Sequence, residues 1–222
     1  MKPYSPRRMA LGLAAASIAT LLAMVAVGLT TGASQEAHEW YGPPDAYAAQ
    51  LVAQAGALRV IFGLDIAFLV LYTGFFAALA DYLRRRGRPF VAIAIGAMLV
   101  TALLDIVEDH HILALLGMAE AHRPIDDGAL VLQQVISSTK FSVSYLALVM
   151  FGLAVPRDSR LGWALSIFLV GGTLVSGALG YAAPPAWRAS LDGGRWIGFL
   201  AGFALAAVWL RAEHEPAAPN NT

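Results

Sequence analysis

Six stretches of this chain stay apolar for about twenty residues or longer, and that repetition decides most of what it can become. They run over 9–30, 57–80, 90–112, 129–155, 161–182 and 194–210. A helix rises ~1.5 Å per residue, so ~20 apolar residues cross the ~30 Å hydrocarbon core of a bilayer. Inside that core every backbone polar group must be bonded within the protein, so runs of this length are expected to be helices. The expected fold class is all-α: a polytopic membrane protein with six transmembrane helices, forming one domain over 1–211. The polar tail over 212–222 is expected to be disordered. Only 14% of the 222 residues are charged, against about a quarter in soluble domains, and the runs leave no room for a separate soluble domain.

The charges that remain are unevenly placed. Lys2, Arg7 and Arg8 precede the first run, Arg84, Arg85, Arg86 and Arg88 follow the second, and Arg157 and Arg160 follow the fourth. In a six-helix layout all three groups fall on one side, while Glu36, Glu39, Asp45, Glu120, Asp126 and Asp127 fall on the other. The positive-inside rule then predicts cytoplasmic termini. The Ala-, Gly-, Arg- and Pro-rich composition suggests a bacterial inner membrane. The Arg84–Arg88 run is short and lies beside the membrane, so it suits topology and anionic headgroups, and no nucleic-acid partner is expected. The first run carries a basic start and a passable cleavage site at Thr31-Gly32-Ala33, but it is longer than the ~7–15 apolar residues of a signal peptide. A retained helix is expected, and cleavage would leave five. With no cysteine, disulfides and thiolate chemistry are excluded.

The connection over 31–56 is the longest, and holds His38-Glu39-Trp40-Tyr41 before Gly42-Pro43-Pro44-Asp45. Asp45 is expected to cap a short helix over 46–55 that runs into the second span. The segment reads as a cover over a site, or as an interfacial helix lying on the bilayer. Two helices carry small residues every fourth position: Gly172, Ser176 and Gly180 in the fifth, and Gly194, Gly198, Gly202 and Ala206 in the sixth. Such ridges let backbones approach closely, so the two helices are expected to pack as a tight pair, with a homodimer interface as the alternative.

Chemistry concentrates in the second, third and fourth runs. Lys140 lies mid-run, Asp105, Glu108 and Asp109 lie one run earlier, and Asp65 one run before that. Charges within a membrane span are costly, so they pair or line a cavity. Asp105, Glu108 and Asp109 share a helix face by their i,i+3 and i,i+4 spacing, whereas adjacent His110 and His111 point ~100° apart. Counted at ~1.5 Å per residue, Asp65 lies ~12 Å and Lys140 ~16 Å inward from one side, and Asp105 ~22 Å from the other. All three then reach a common depth. Tyr72 follows Asp65 two turns on, Arg59 sits near the mouth of the second helix, Ser137, Ser138, Thr139, Ser142 and Ser144 surround Lys140, and Gln133 and Gln134 lie toward the outer end of the fourth run.

Three readings fit these residues. Lys140 pairs with Asp105 or Asp65 as a structural pin, the role of an accessory subunit. Alternatively the surplus carboxylates line an outward-facing acidic cavity that binds or transports an ion, a proton or a small amphipathic molecule. In the third, His38, His110, His111 and His122 join the carboxylates around a divalent metal in an intramembrane lipid hydrolase. No His-Glu-x-x-His pair, Gly-x-Ser-x-Gly turn or Gly-rich phosphate loop is present to support an enzyme. The cavity is the leading expectation, with Asp105 and Glu108 as the ion or proton site and Lys140 as counter-ion. Asp65, Tyr72, Asp109 and Arg59 would complete it.

The pattern Asp65…Tyr72, Leu104-Asp105-Ile106-Val107-Glu108 and Thr139-Lys140-Phe141 resembles a group of uncharacterised prokaryotic multi-pass membrane proteins that place Asp-x-x-Glu on one helix and Lys on the next. Asn commonly follows the Glu in that group, where this chain has Asp109. The resemblance covers the second to fourth helices. It implies the architecture and the same residues, and no substrate.

Overall fold

The computed structural model of the chain describes residues 4–182 and 187–213, with side chains outside 188–192. The tail beyond residue 213, with His214, lies outside the described residues. The protein is all-helical among these, and six helices are long and apolar enough to cross a membrane. They are α1 (Pro6–Thr31), α2 (Pro44–Arg84), α3 (Val91–Glu120), α4 (Asp127–Ala154), α5 (Arg160–Ala182) and α6 (Arg188–Ala212). A 3-10 turn, Glu36–His38, lies between α1 and α2.

Local chemistry sets the ends. Ser5 accepts a hydrogen bond from the Arg8 N–H, with Pro6 in the first turn. Gly32, at φ 71°, closes α1 in the left-handed conformation that glycine tolerates, and its N–H returns to the Gly28 carbonyl. Asp126 and Ser159 cap α4 and α5 in the same way as Ser5.

The helices run alternately up and down. Each packs on its sequence neighbours, and α6 returns to pack on α1, so the six close into a ring. Arg7 donates to the Leu210 and Glu213 carbonyls, and Arg86 pairs with Glu213 at 2.6 Å, tying the arginine-rich end together. The segment over 32–43 lies at the opposite, far end.

Two expectations change. The helix over 46–55 does run into the second span, as one α2 unbroken for 41 residues, roughly 62 Å, but it begins at Pro44 with Asp45 inside its first turn and not as its cap. A second apolar cluster at the far end holds this length. There Tyr47, Leu51, Leu58 and Phe62 of α2 pack on Ile112, Leu115, Leu116 and Ala119 of a lengthened α3.

The second change concerns the small residues of α5 and α6. These helices close along only part of their ridges. α5 meets α6 through its first turns, Arg160–Ile167, and again beyond them, where a Cβ on Gly202 would come within 3.3 Å of the Phe168 ring. A Cβ placed on Gly172, Gly180, Gly194 or Gly198 would touch nothing within 4 Å. The close approach is instead between α4 and α5, where a Cβ on Gly152 would come within 2.8 Å of Val170 and 2.9 Å of Leu169. Beside it Ser166 donates to the Gly152 carbonyl at 2.8 Å, and α5 widens into a π-helical turn, Phe168–Gly172.

Candidate functional site: a cavity inside the helix ring

The ring encloses a cavity of about 270 Å³ with walls from all six helices. That approaches the ~300–1,000 Å³ of ordinary ligand sites. Its two ends differ in chemistry. Towards the arginine-rich end the wall is apolar and aromatic, built by Phe75, Phe76 and Leu79 of α2, Met98 of α3 and Phe203 and Ala206 of α6. Towards the far end it carries Asp65, Tyr72, Asp105, Lys140, Arg195 and Glu39. Gly172 and Ser176 of α5 and Gly194 of α6 line the cavity and are exposed, so the wall is thin where α5 and α6 part.

Lys140 is almost fully buried and donates to Asp105 Oδ1 at 2.9 Å and to Glu108 Oε2. Glu108, with no exposed surface, also accepts from Ser137 Oγ. Gln133 Nε2 donates to Ser137 Oγ at 3.2 Å, and Gln133 Oε1 lies 2.7 Å from His111 Nδ1. The Tyr72 hydroxyl donates to Asp105 Oδ2 at 3.1 Å. This network locks α2, α3 and α4 together at one depth, as the residue counting predicts. Lys140 takes two carboxylate partners, and Asp65 is not one of them.

Asp65, Asp105 and Asp109 form a second group, with one oxygen from each within 4.8 Å of the others. Asp109 Oδ1 accepts from Gln35 Nε2 at 3.0 Å, and the Asp65 and Asp109 carboxyls hydrogen-bond each other, which takes a proton on one of them. Among the described residues no ion pair reaches Asp65 or Asp109. Asp105 and Glu108, the expected ion or proton site with Lys140 as counter-ion, both pair with Lys140.

The segment over 32–43 lies across the far end, and Gln35, Glu36 and Glu39 line the cavity from it. Glu39 pairs with Arg195 of α6 at 2.8 Å, and that guanidinium sits 4.2 Å from the centre of the Phe141 ring. Burial raises the Glu39 carboxyl to about 8, with Arg195 opposing the shift. Tyr41 tethers the same segment through its backbone N–H to Gln134 at 3.0 Å and its hydroxyl to Asp127 at 2.9 Å.

The remaining candidates do not converge. Arg59 forms an exposed bidentate pair with Glu120 at 2.9 and 2.6 Å, apart from the cavity, because its long side chain reaches α3 at the surface. His38 is fully buried against Tyr47, with Nδ1 2.9 Å from the Ser34 carbonyl and Nε2 unpartnered. Burial lowers its pKa, which keeps the ring neutral. His110 points outward on α3 with Nδ1 on the Ile106 carbonyl, and His122 is exposed just past the end of α3 at φ 53°. Among the described residues the group able to offer three metal-ligating side chains together is Asp65, Asp105 and Asp109, and it contains no histidine. A His–carboxylate metal centre therefore lacks its imidazoles at this site.

Gln35, Glu39 and Arg195 belong to the site without having been among the residues expected there. A signal for Arg195 existed: a lone arginine in Gly193-Gly194-Arg195-Trp196, at the head of an apolar helix. Compared with family models, curated proteins and solved structures, the chain matches none.

Proposed function

We propose that this protein binds a small amphipathic molecule in the cavity inside its helix ring, taking it from the lipid through the gap between α5 and α6. The observation that carries this reading is the continuity of one cavity from a charged end to an aromatic, apolar end. A ligand with a polar head and an apolar tail satisfies both ends, whereas a bare ion would leave the aromatic half unused. The exposed glycines and Ser176 in the wall support lateral access, since no side chain larger than serine stands at those positions. The arginines gathered at one end favour a bacterial inner membrane with both termini cytoplasmic, which turns the charged end of the cavity outward. Binding of this kind suits a carrier or a step of lipid handling.

The reading is tested by native mass spectrometry of the protein released from its own membranes in a polymer-bounded lipid disc. A bound single-chain amphiphile is expected on the unaltered chain. It should be lost in Gly198→Phe, which fills the cavity from a position with free space for a side chain. A bare protein mass, or retention of the same amphiphile by Gly198→Phe, contradicts it.

A further inference from the structure

We infer that the Glu39–Arg195 ion pair is the clasp of a gate at the far end of the cavity. Breaking it parts the head of α6 from the segment over 32–43 and joins the gap between α5 and α6 to the water beyond that end. The opening belongs to the cavity itself and does not depend on which molecule the cavity holds.

The wall shows where a gate can stand. Among the described residues every side chain that lines the cavity lies on one of the six helices, except Gln35, Glu36 and Glu39 of this segment. The arginine-rich end is closed by packed helix residues, where the Phe75 ring meets those of Phe76 and Phe203 edge-on. The far end is crossed by a loop.

That loop is seated on one side and clasped on the other. Gln35 bonds to Asp109 of α3, and Tyr41 to Gln134 and Asp127 of α4. His38 is fully buried against Tyr47 of α2, whose hydroxyl donates to the His38 carbonyl at 3.0 Å. Towards α6 the loop reaches through Glu39, which meets Arg195 at 2.8 Å. The guanidinium also lies over the Phe141 ring of α4, so one side chain ties the head of α6 to both the loop and α4.

The head of α6 has room to move. A Cβ on Gly193, Gly194 or Gly198 would have nothing within 4 Å, and this half of the helix flanks the gap to α5. Farther along, α6 is anchored: Gly202 faces the Phe168 ring, and Trp209 is fully buried against Tyr82.

The clasp itself stands near a balance. Burial raises the Glu39 carboxyl to about 8, while Arg195 and Lys140 draw it down and Glu108 and Glu36 push it up. Withdrawing two charges from water offsets much of their attraction. Such a pair fixes geometry with little net gain in stability, as a contact that opens requires.

Thr101 of α3 lines the cavity one turn to the arginine-rich side of Asp105 and is 6% exposed. The test makes Thr101→Cys the sole thiol of the full chain in phosphatidylcholine nanodiscs. Its labelling by two lipid-insoluble methanethiosulfonates, one cationic and one anionic, is followed by mass spectrometry. With the ion pair intact, labelling is expected to be slow. In Arg195→Met it should be about tenfold faster or more with both reagents, since labelling of a closed site follows its open fraction. Glu39→Gln should act in the same direction, and serves if Arg195→Met fails to fold. Arg86→Met, which breaks the pair with Glu213 at the opposite end, should leave the rate unchanged. An unchanged rate in the Arg195 and Glu39 variants overturns the gate, and so does equal acceleration by Arg86→Met. Acceleration of the cationic reagent alone would mark a change of charge and overturn it too. No amphiphile probe enters this assay, so the gate can fail while the binding reading stands, and the mass spectrometry above can sink that reading with the gate intact.

Discussion

Glycine does opposite work on the two sides of α5. Against α4, Gly152 lets the backbones close until any side chain would strike Val170 and Leu169. Against α6 the ridges part: Gly172 and Gly198 have nothing near them and the space they leave is cavity, although Gly202 further along still meets the Phe168 ring. One residue type thus seals one seam and opens the next. A small-residue ridge says that a helix can be approached closely, and the neighbouring element decides whether it is. The charged sector of α2, α3 and α4 stands with the sealed side, held by Lys140 and its two carboxylates, while α6 completes the ring more loosely.

That contrast can be broken at several points. The largest effect is expected from Lys140→Met, which strands Asp105 and Glu108 in the interior and should cost about 3–5 kcal/mol in a reversible unfolding assay. Adding Asp105→Leu should recover only part of the loss, since Glu108 stays fully buried without its cation. Full recovery by that double change would show that Lys140 serves Asp105 alone. Next comes Gly152→Val, which overpacks the α4/α5 seam and should cost about 1–3 kcal/mol. A neutral result would mean that this seam is as open as its neighbour.

A smaller effect follows from pH. Glu39 titrates in the folded protein near 8, above its ordinary 4.5, so between those values the folded state holds the proton more firmly than the unfolded one. Its contribution is full below pH 4.5 and falls away as pH rises through about 8. Protection over residues 32–43, taken after the intrinsic rise of amide exchange with pH is divided out, should therefore fall across this window, and Glu39→Gln should flatten the response. A fall in protection that persists in Glu39→Gln would move the cause to another group. The smallest effect belongs to Gly172→Ala and Gly198→Ala. Their added methyl groups meet open space, so thermal unfolding should shift by no more than ~0.5 kcal/mol while bound amphiphile declines.

The sequence exposes what repeats locally. The six spans follow from apolar length, and the convergence of Asp65, Asp105 and Lys140 follows from counting turns. The sharing of a face by Asp105, Glu108 and Asp109 follows from spacing alone. What stays hidden depends on partners distant along the chain. Glu39 meets Arg195 across 156 positions, from a loop to the last helix, and no periodicity connects them. Arg59 is near the charged helices in sequence, yet its surface partner Glu120 draws it away. The direction of the glycine ridges depends on the ring closing through α1 and α6, a contact between the two ends of the chain.

The absence of native cysteine makes the central claim open to a clean measurement. Single cysteines would be placed at Ser176, on the cavity wall, and at Leu174, which is 60% exposed on the other face of the same helix. Alkylation of each would then be timed in lipid discs with and without four single-chain probes of equal tail: decylamine, decyltrimethylammonium, decanol and decanoate. The account predicts that at least one probe slows the reaction at position 176 and that none changes it at 174. Equal rates at 176 with every probe would contradict an amphiphile in this cavity.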